Sequence, residues 1–460
     1  MTSTAHFDLI IVGTGSGNMI PDDRFDDLSI AIVEEDRFGG TCLNVGCIPT
    51  KMFVYAADRA LEASDSSALS LTTSYDSVDW ADVQERVFGK RIDPIAAGGE
   101  AYRRGDETPN ITVFDQHARF VGPRTLATGQ GPTEWTITGD TIILATGART
   151  NVLDVVKNSG IRYYTNKDIM RMEKLPASMI IQGGGVIAAE FAHVFSALGT
   201  KVSIINRSEK LLKNLDADIR DRFNEIAASR WDLHLGHTIE SLSTGADGSI
   251  TAVLDDGTTV TADVFLAATG RRPNGDLLNL EAAGIKHERG LITVDKYGRT
   301  SAEGVWALGD ASNTFQLKHV ANAEAKAVAH NVLHPDDLKE YPHDVVPAGI
   351  FTHPQIATVG LTEEEARNRC DTVTVKVQKY GDVAFGWAME DTTGLVKVIG
   401  DSSTGKLLGA HLIGPQATTL IQTFITGLVW DIGYKELAHN QYWIHPALPE
   451  VVENALLGLD

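Results

Sequence analysis

Twice in this chain a short apolar run of strand type stops abruptly in a glycine turn. Phe7-Asp8-Leu9-Ile10-Ile11-Val12 feeds into Gly13-Thr14-Gly15-Ser16-Gly17-Asn18, and Met179-Ile180-Ile181-Gln182 feeds into Gly183-Gly184-Gly185-Val186-Ile187-Ala188. A strand buried on both faces carries a continuous apolar run, and glycines directly after it let the backbone turn tightly and approach a phosphate. The pattern confines the chain to α/β architecture with two Rossmann-like dinucleotide-binding units. At 460 residues the chain is long enough for two to four domains with sizeable cores.

The two turns differ in the residues that lie beyond them. After the first, a strand over Ser29 to Val33 ends at Glu34, about twenty residues beyond Gly13, where a carboxylate can accept hydrogen bonds from a ribose. Gly13, Gly15 and Gly17 supply the turn, while Asn18 stands at the third fingerprint position and predicts looser packing of the following helix on its strand. After the second turn, with Gly183, Gly185 and Ala188 in the fingerprint, the strand Lys201 to Ile205 ends in Asn206-Arg207, with Lys210 and Lys213 close behind. An acid there would repel a 2′-phosphate and an arginine can pair with one, so this unit is expected to take NADP rather than NAD. The alternative is that Arg207 is a solvated surface charge.

Two more apolar strands end in small residues, Ile142-Ile143-Leu144-Ala145-Thr146-Gly147 and Val264-Phe265-Leu266-Ala267-Ala268-Thr269-Gly270. The first closes one nucleotide unit before the second opens, and the later one returns the chain to it, so the second unit is expected to be an insertion. Asp255-Asp256-Gly257 followed by Thr258 to Ala262 predicts an antiparallel hairpin between them. A last strand, Gly304 to Leu308, ends in Gly309-Asp310, which could approach a cofactor's sugar chain or simply form a turn.

Only three cysteines occur, and two of them, Cys42 and Cys47, lie in Gly39-Gly40-Thr41-Cys42-Leu43-Asn44-Val45-Gly46-Cys47-Ile48-Pro49-Thr50-Lys51. Zinc takes four ligands and no second Cys or His pair has matching spacing, so no metal is expected. A structural disulfide closing so short a loop would add little to a chain of this size, which leaves redox exchange as the stronger reading. Pro49 and the residues after it predict a helix beginning just after Cys47. The positive end of that helix, with Lys51 one turn on, would favour Cys47 as thiolate, and Cys42, on the preceding loop, is expected to be the more exposed sulfur. Cys370 is assigned no role. The 40 Lys and Arg against 61 Asp and Glu give a formal charge of −21, which argues against nucleic acid or anionic membrane as partner. No apolar run is long enough for a membrane span and Met1 to His6 carries no signal pattern, so a cytoplasmic location is the expectation.

The cysteine segment, both glycine turns, both Ala-Thr-Gly strands, Gly309-Asp310 and His445-Pro446-Ala447-Leu448-Pro449-Glu450, in that order, resemble the flavin disulfide oxidoreductases, the glutathione reductase and dihydrolipoamide dehydrogenase family. The resemblance spans the whole chain. It implies FAD at the first turn, with Glu34 on the adenosine ribose and Asp310 on the ribityl chain, NADPH at the second, and further cofactor contacts from Gly40, Thr41, Thr146, Gly147, Gly270 and Arg271. It also implies a Lys51–Glu190 pair beside the flavin, Cys42 as interchange sulfur, Cys47 as the flavin-facing one, and a His445/Glu450 acid–base pair reaching the other subunit of a homodimer. The implied organisation is an FAD domain over 1–147, an NADPH domain over 148–270, the second part of the FAD domain over 271–338 and an α+β dimerisation domain over 339–460. Two departures stand out: Val186 replaces an aromatic residue common over the nicotinamide pocket, and Ala148 to Asn151 lack a proline. For a small-molecule disulfide substrate, the first helix and the segment near Gly89 to Arg104 are the expected recognition surfaces, with Arg91, Asp93 and Glu100 as candidates to meet sugar hydroxyls.

Overall fold

The computed structural model describes residues 3–64 and 66–459. Its first sheet places Ile111–Phe114, Ile30–Val33, Ser3–Val12 and Trp135–Leu144 side by side in parallel, with Val305–Ala307 parallel to the end of Trp135–Leu144 and Thr125–Thr128 antiparallel to its beginning. Leu9, Ile10 and Ile11 are fully buried, as their unbroken apolar run requires of a strand covered on both faces. The register pairs Val12 with Val33 on one side and Leu144 on the other, and Leu144 with Ala307. Gly13, Glu34, Thr146 and Gly309-Asp310 consequently emerge along one carboxyl edge, the edge at which open α/β sheets bind ligands.

A second parallel sheet repeats the plan with Asp232–Leu235, Lys201–Asn206, Ser178–Gln182 and Val264–Ala267. Here Gln182 pairs with both Ile205 and Ala267, so Gly183, Asn206 and Ala268 share an edge. The chain leaves the first sheet at Ala148–Thr150 and returns at Arg271–Pro273, and these two segments pair antiparallel, Thr150 with Arg271 and Ala148 with Pro273. The hairpin expected at Asp255-Asp256-Gly257 is present, Ile250–Leu254 against Thr259–Ala262, and a third strand, Ile239–Thr244, extends it.

The C-terminal part is a five-stranded antiparallel sheet ordered Ala348–Ile350, Gln355–Gly360, Lys406–Gly414, Leu395–Asp401, Val373–Lys379. Helix Ala417–Val429 buries Leu420, Ile421 and Phe424, and helix Pro449–Leu457 buries Val451, Val452 and Ala455; each such large side chain contributes about 1.5–3 kcal/mol. Lys397, in the middle of this sheet and only 1% exposed, reaches Asp216 Oδ1 at 2.9 Å, Asp218 Oδ2 at 2.5 Å and Glu363 Oε2 at 2.7 Å. Asp216 also caps the helix Ala217–Arg230, so this ion cluster fastens the second nucleotide unit to the C-terminal sheet.

One expectation fails. No α-helix follows the first glycine turn: Gly17–Met19 and Asp23–Phe25 are single 3-10 turns, and the chain re-enters the sheet at Ile30. Pro21 cannot donate to a helix, and Asp22 caps the second turn through the Arg24 N–H. Close packing here falls on Gly17, whose Cβ would meet Ala145 Cβ and Ile11 Cγ2 at 2.9 Å, rather than being lost at Asn18.

Candidate active site

Both glycine turns are built against the strand that ends in Ala-Thr-Gly. Gly13 has φ +104° and a Cβ there would lie 2.4 Å from Ala145 O; Gly183 has φ +125° and a Cβ would lie 2.2 Å from Ala268 O. Only glycine meets both demands. Gly40, with φ +68°, backs onto Gly15 Cα so closely that a Cβ would sit at 2.7 Å, which brings the cysteine segment onto the first turn. Glu34 Oε2 accepts from the Thr14 N–H at 2.9 Å and hydroxyl at 2.6 Å, and Oε1 accepts from the Glu35 and Asp36 amides at 3.0 Å. Its carboxylate therefore ties the turn to the end of the second strand.

The cysteines stand on two successive helices, Gly40–Asn44 and Cys47–Ser64. Asn44 holds the first in place, its side-chain amide donating to Phe38 O at 2.9 Å and Gly40 O at 3.1 Å. Both cysteines are free thiols. The helix expected after Cys47 begins at Cys47 itself, and Cys42 lies on a helix rather than a loop. Cys47, opening the longer helix, and Cys42, on the short helix packed against it, both keep accessible surface. Their ionisation follows the expected asymmetry. The Cys47 thiol is lowered to about 7, first by the hydrogen bond from Cys42, against a burial penalty, and then by the Lys51 charge. Cys42 is pushed up because ionising it would give up that bond and set a second negative charge beside the first, with burial adding to the shift.

Lys51, one turn after Cys47, places Nζ 2.6 and 2.8 Å from the two oxygens of Glu190, on helix Val186–Ala197. Glu190 is 7% exposed at its side chain and also accepts from the Phe351 N–H at 3.0 Å, while the Lys51 ammonium lies 4.6 Å from the Phe351 ring. Asp310 lies 3.4 Å from Arg271 Nε, and burial raises its pKa against the pull of that guanidinium. Thr146 Oγ1 and Arg271 Nε are buried without a hydrogen-bond partner among the described residues. Along the second edge, Asn206 turns its amide to Ser208 O at 2.9 Å, leaving Arg207 exposed and free of any carboxylate among the described residues. Gly185 faces open space and Val186 is 43% exposed.

His445 and Glu450 form the third group, with Nδ1 2.6 Å from Oε1, the Ala447 N–H on Oε2 at 3.2 Å, and the Glu450 carboxyl held low by the histidine. The imidazole is 72% exposed, and within one protomer no bond among the described residues joins it to either cysteine. Of the three side chains singled out for substrate, Asp93 is bound to Arg37 and Arg171 and Glu100 to Arg104, while Arg91 is exposed and bonds only Lys90 O. No candidate metal-ligand group among the described residues includes a cysteine. Sequence reasoning missed Ser16, Asn44, Arg103 and Lys318. Asn44 was visible inside the cysteine segment and Ser16 inside the first glycine turn; Arg103 and Lys318 belong to no local pattern.

A dithiol with unequal thiols, two glycine turns each at the carboxyl edge of a parallel sheet and a separate acid–base pair define a disulfide oxidoreductase with two dinucleotide sites. Residues 7–327 match the pyridine nucleotide-disulphide oxidoreductase family and residues 346–456 its dimerisation domain, and the chain belongs to that family. It is 49% identical to the mycothione reductase of Mycobacterium tuberculosis strain H37Rv, over 98% of this chain and 99% of that one, and 32% identical to the glutathione reductase of Burkholderia cepacia, over 90% and 91%. Among solved structures, the HOCl-induced flavoprotein disulfide reductase RclA of Escherichia coli matches with a TM-score of 0.86 and 26% identity over 98% of this chain and 99% of that one. The chain is an oxidoreductase of disulfides whose cofactors are FAD and NADPH. The residues fit that pair: only glycine serves at Gly13 and Gly183, where the backbone turns tightly, and the buried Thr146 hydroxyl has no hydrogen-bond partner among the described residues. No helix among the described residues is long and apolar enough to cross a membrane.

Proposed function

We propose that this chain reduces mycothione, the disulfide of mycothiol, at the expense of NADPH. The observation that carries the disulfide chemistry is the Cys42–Cys47 dithiol with one thiol lowered to about 7 and its neighbour raised, one turn from Lys51–Glu190. The choice of mycothione rests on the 49% identity and on the wording of Lys51 to Ala57, Tyr380 to Asp391 and Gln441 to His445.

When bound, FAD and NADPH supply the electron pair that returns a Cys42–Cys47 disulfide to the dithiol. Gly13, Gly15, Gly17, Glu34, Gly40, Thr41, Lys51, Thr146, Gly147, Arg271, Gly309 and Asp310 would hold the first cofactor, and Gly183, Gly185, Ala188, Arg207 and Gly270 would hold the second. His445, from the other subunit of a homodimer, removes the Cys42 proton. Cys42 then attacks one substrate sulfur; the new S–S bond forms as the substrate's own breaks, and the departing thiolate takes the proton from His445. Cys47 attacks the Cys42 sulfur, which remakes the internal disulfide and releases the second thiolate, protonated from water by way of His445. Glu450, accepting from Nδ1, fixes the tautomer that leaves Nε2 for this work.

The same reading divides the chain into an FAD domain (1–147 and 271–338), an NADPH domain (148–270) and a dimerisation domain (339–460) of a cytoplasmic homodimer. The acidic charge supports the absence of nucleic acid and membrane partners. Steady-state NADPH oxidation with mycothione, glutathione disulfide and lipoamide compared side by side tests the assignment. Mycothione is expected to give by far the highest kcat/KM; a preference for either other disulfide removes it while leaving the dithiol chemistry in place.

A further inference from the structure

The first glycine turn lacks the helix whose free N–H groups and positive dipole end would face a phosphate. The carbonyls left over by the irregular loop are taken up by Arg103, which donates to Asn18 Oδ1 and Asn18 O at 2.9 Å and to Pro21 O at 3.0 Å. That guanidinium is committed. A different cation faces the turn: Lys318, first residue of helix Lys318–Leu333, donates to Ser16 Oγ at 2.8 Å, and this hydroxyl donates onward to Asn322 Oδ1 at 3.0 Å. Lys51 is paired with Glu190 and Arg271 with Asp310, but no Asp or Glu among the described residues lies within ion-pair distance of Lys318 Nζ. Burial lowers its pKa, and the nearby cysteine sulfurs oppose that shift. A half-buried ammonium with no carboxylate is costly unless another anion meets it.

We propose that Lys318 is a cofactor-binding residue: held on Ser16 Oγ, its ammonium supplies at the first glycine turn the positive charge that a helix N-terminus would otherwise provide, and pairs with the pyrophosphate of FAD. The inference rests on FAD occupying that turn. It assigns a role to a side chain some three hundred residues from the glycines it serves, and it makes FAD retention depend on salt.

The test is FAD release from the purified holoprotein, followed by the fluorescence of the freed flavin over a series of salt concentrations. Lys318→Gln is expected to release FAD on the order of tenfold to a hundredfold faster at low salt and to converge on the parent protein at high salt. Lys318→Arg should stay close to the parent, and Lys326→Gln, an exposed lysine of the same helix, should match it. Release from Lys318→Gln indistinguishable from the parent at every salt overturns the proposal. So does unchanged release with a raised midpoint of Cys47 alkylation, which would give the lysine to the dithiol instead. If Lys318→Gln does not fold, the parent protein still decides: release independent of salt overturns the proposal. Parent protein purified without any flavin would remove the reading of FAD at the turn, a failure separate from that of Lys318.

Discussion

Replacing Lys51 by methionine isolates the charge that acts on Cys47 while keeping an apolar stem against Phe351. Lys51 lies four residues after Cys47 on one helix, where Cβ atoms are about 5–6 Å apart. At that range a unit charge in an effective dielectric of about 20 contributes about 3 kcal/mol, or roughly two pKa units. The hydrogen bond from Cys42 remains in the variant, so two units is the upper figure. From about 7, the Cys47 thiol should rise by less than that figure, because the Cys42 hydrogen bond is the larger cause of its low value, and its thiolate fraction at neutral pH should fall below about one-half. Glu190, left buried with the Phe351 N–H as its remaining donor, costs about 3–5 kcal/mol of stability. Lys51→Met/Glu190→Gln should recover most of that loss and bring Cys47 part of the way back, because Glu190 opposes the thiolate. The assay is iodoacetamide alkylation of reduced protein across pH, with the Cys47 peptide quantified by mass spectrometry apart from Cys42 and Cys370. An unchanged alkylation midpoint in Lys51→Met would refute the electrostatic account of the Cys47 thiolate.

Three further outcomes are expected. Lys397→Met should lower stability by about 3–5 kcal/mol in denaturant titration, because Asp216 is left buried and unpaired, whereas Asp218→Asn, at a half-exposed partner, should cost less than about 1 kcal/mol. Arg207→Glu should reduce kcat/KM for NADPH by at least about tenfold with little change for NADH; equal losses for both nucleotides would show that Arg207 does not read the 2′-phosphate. Subunits of His445→Ala and Cys42→Ala, each inactive alone, should after dissociation and reassociation give mixed dimers with about half the parent activity, one intact site in two. Failure of every mixture to regain activity would exclude a site shared between subunits.

The two parallel sheets were legible because their central strands rest on continuous apolar runs that end at or just before glycine: Val12, Gln182, Leu144 and Ala267 all mark strand ends in the structure. The dithiol was legible for the same local reason, since Gly40, Cys42, Cys47 and Lys51 fall within one short segment. Pro21 and the Asp22-Asp23 pair already argued against a helix after Gly17, a breaker signal overridden by the glycine fingerprint. What no local pattern carries is pairing over long sequence separations. Asp93 looked available for substrate because Arg37 and Arg171, which neutralise it, are far away in the chain. Lys318 was silent for the same reason: only the folded chain sets it against Ser16.

The antiparallel pairing of Ala148–Thr150 with Arg271–Pro273 carries a consequence for the chain as an assembly of parts. Everything between those segments leaves and re-enters the first sheet through one narrow ribbon whose ends lie side by side, so the length of the excursion adds little to what the first sheet must close. The same unit is bolted at another point, where Lys397 grips Asp216. With the Lys51–Glu190 pair and the packing of helix Val186–Ala197 on helix Cys47–Ser64, the ribbon and the buried ion cluster make it a cartridge seated in a frame. Residues at the second glycine turn can therefore vary without disturbing the ribbon, the ion cluster or the Lys51–Glu190 pair, because none of these anchorages lies at Gly183 to Ala188.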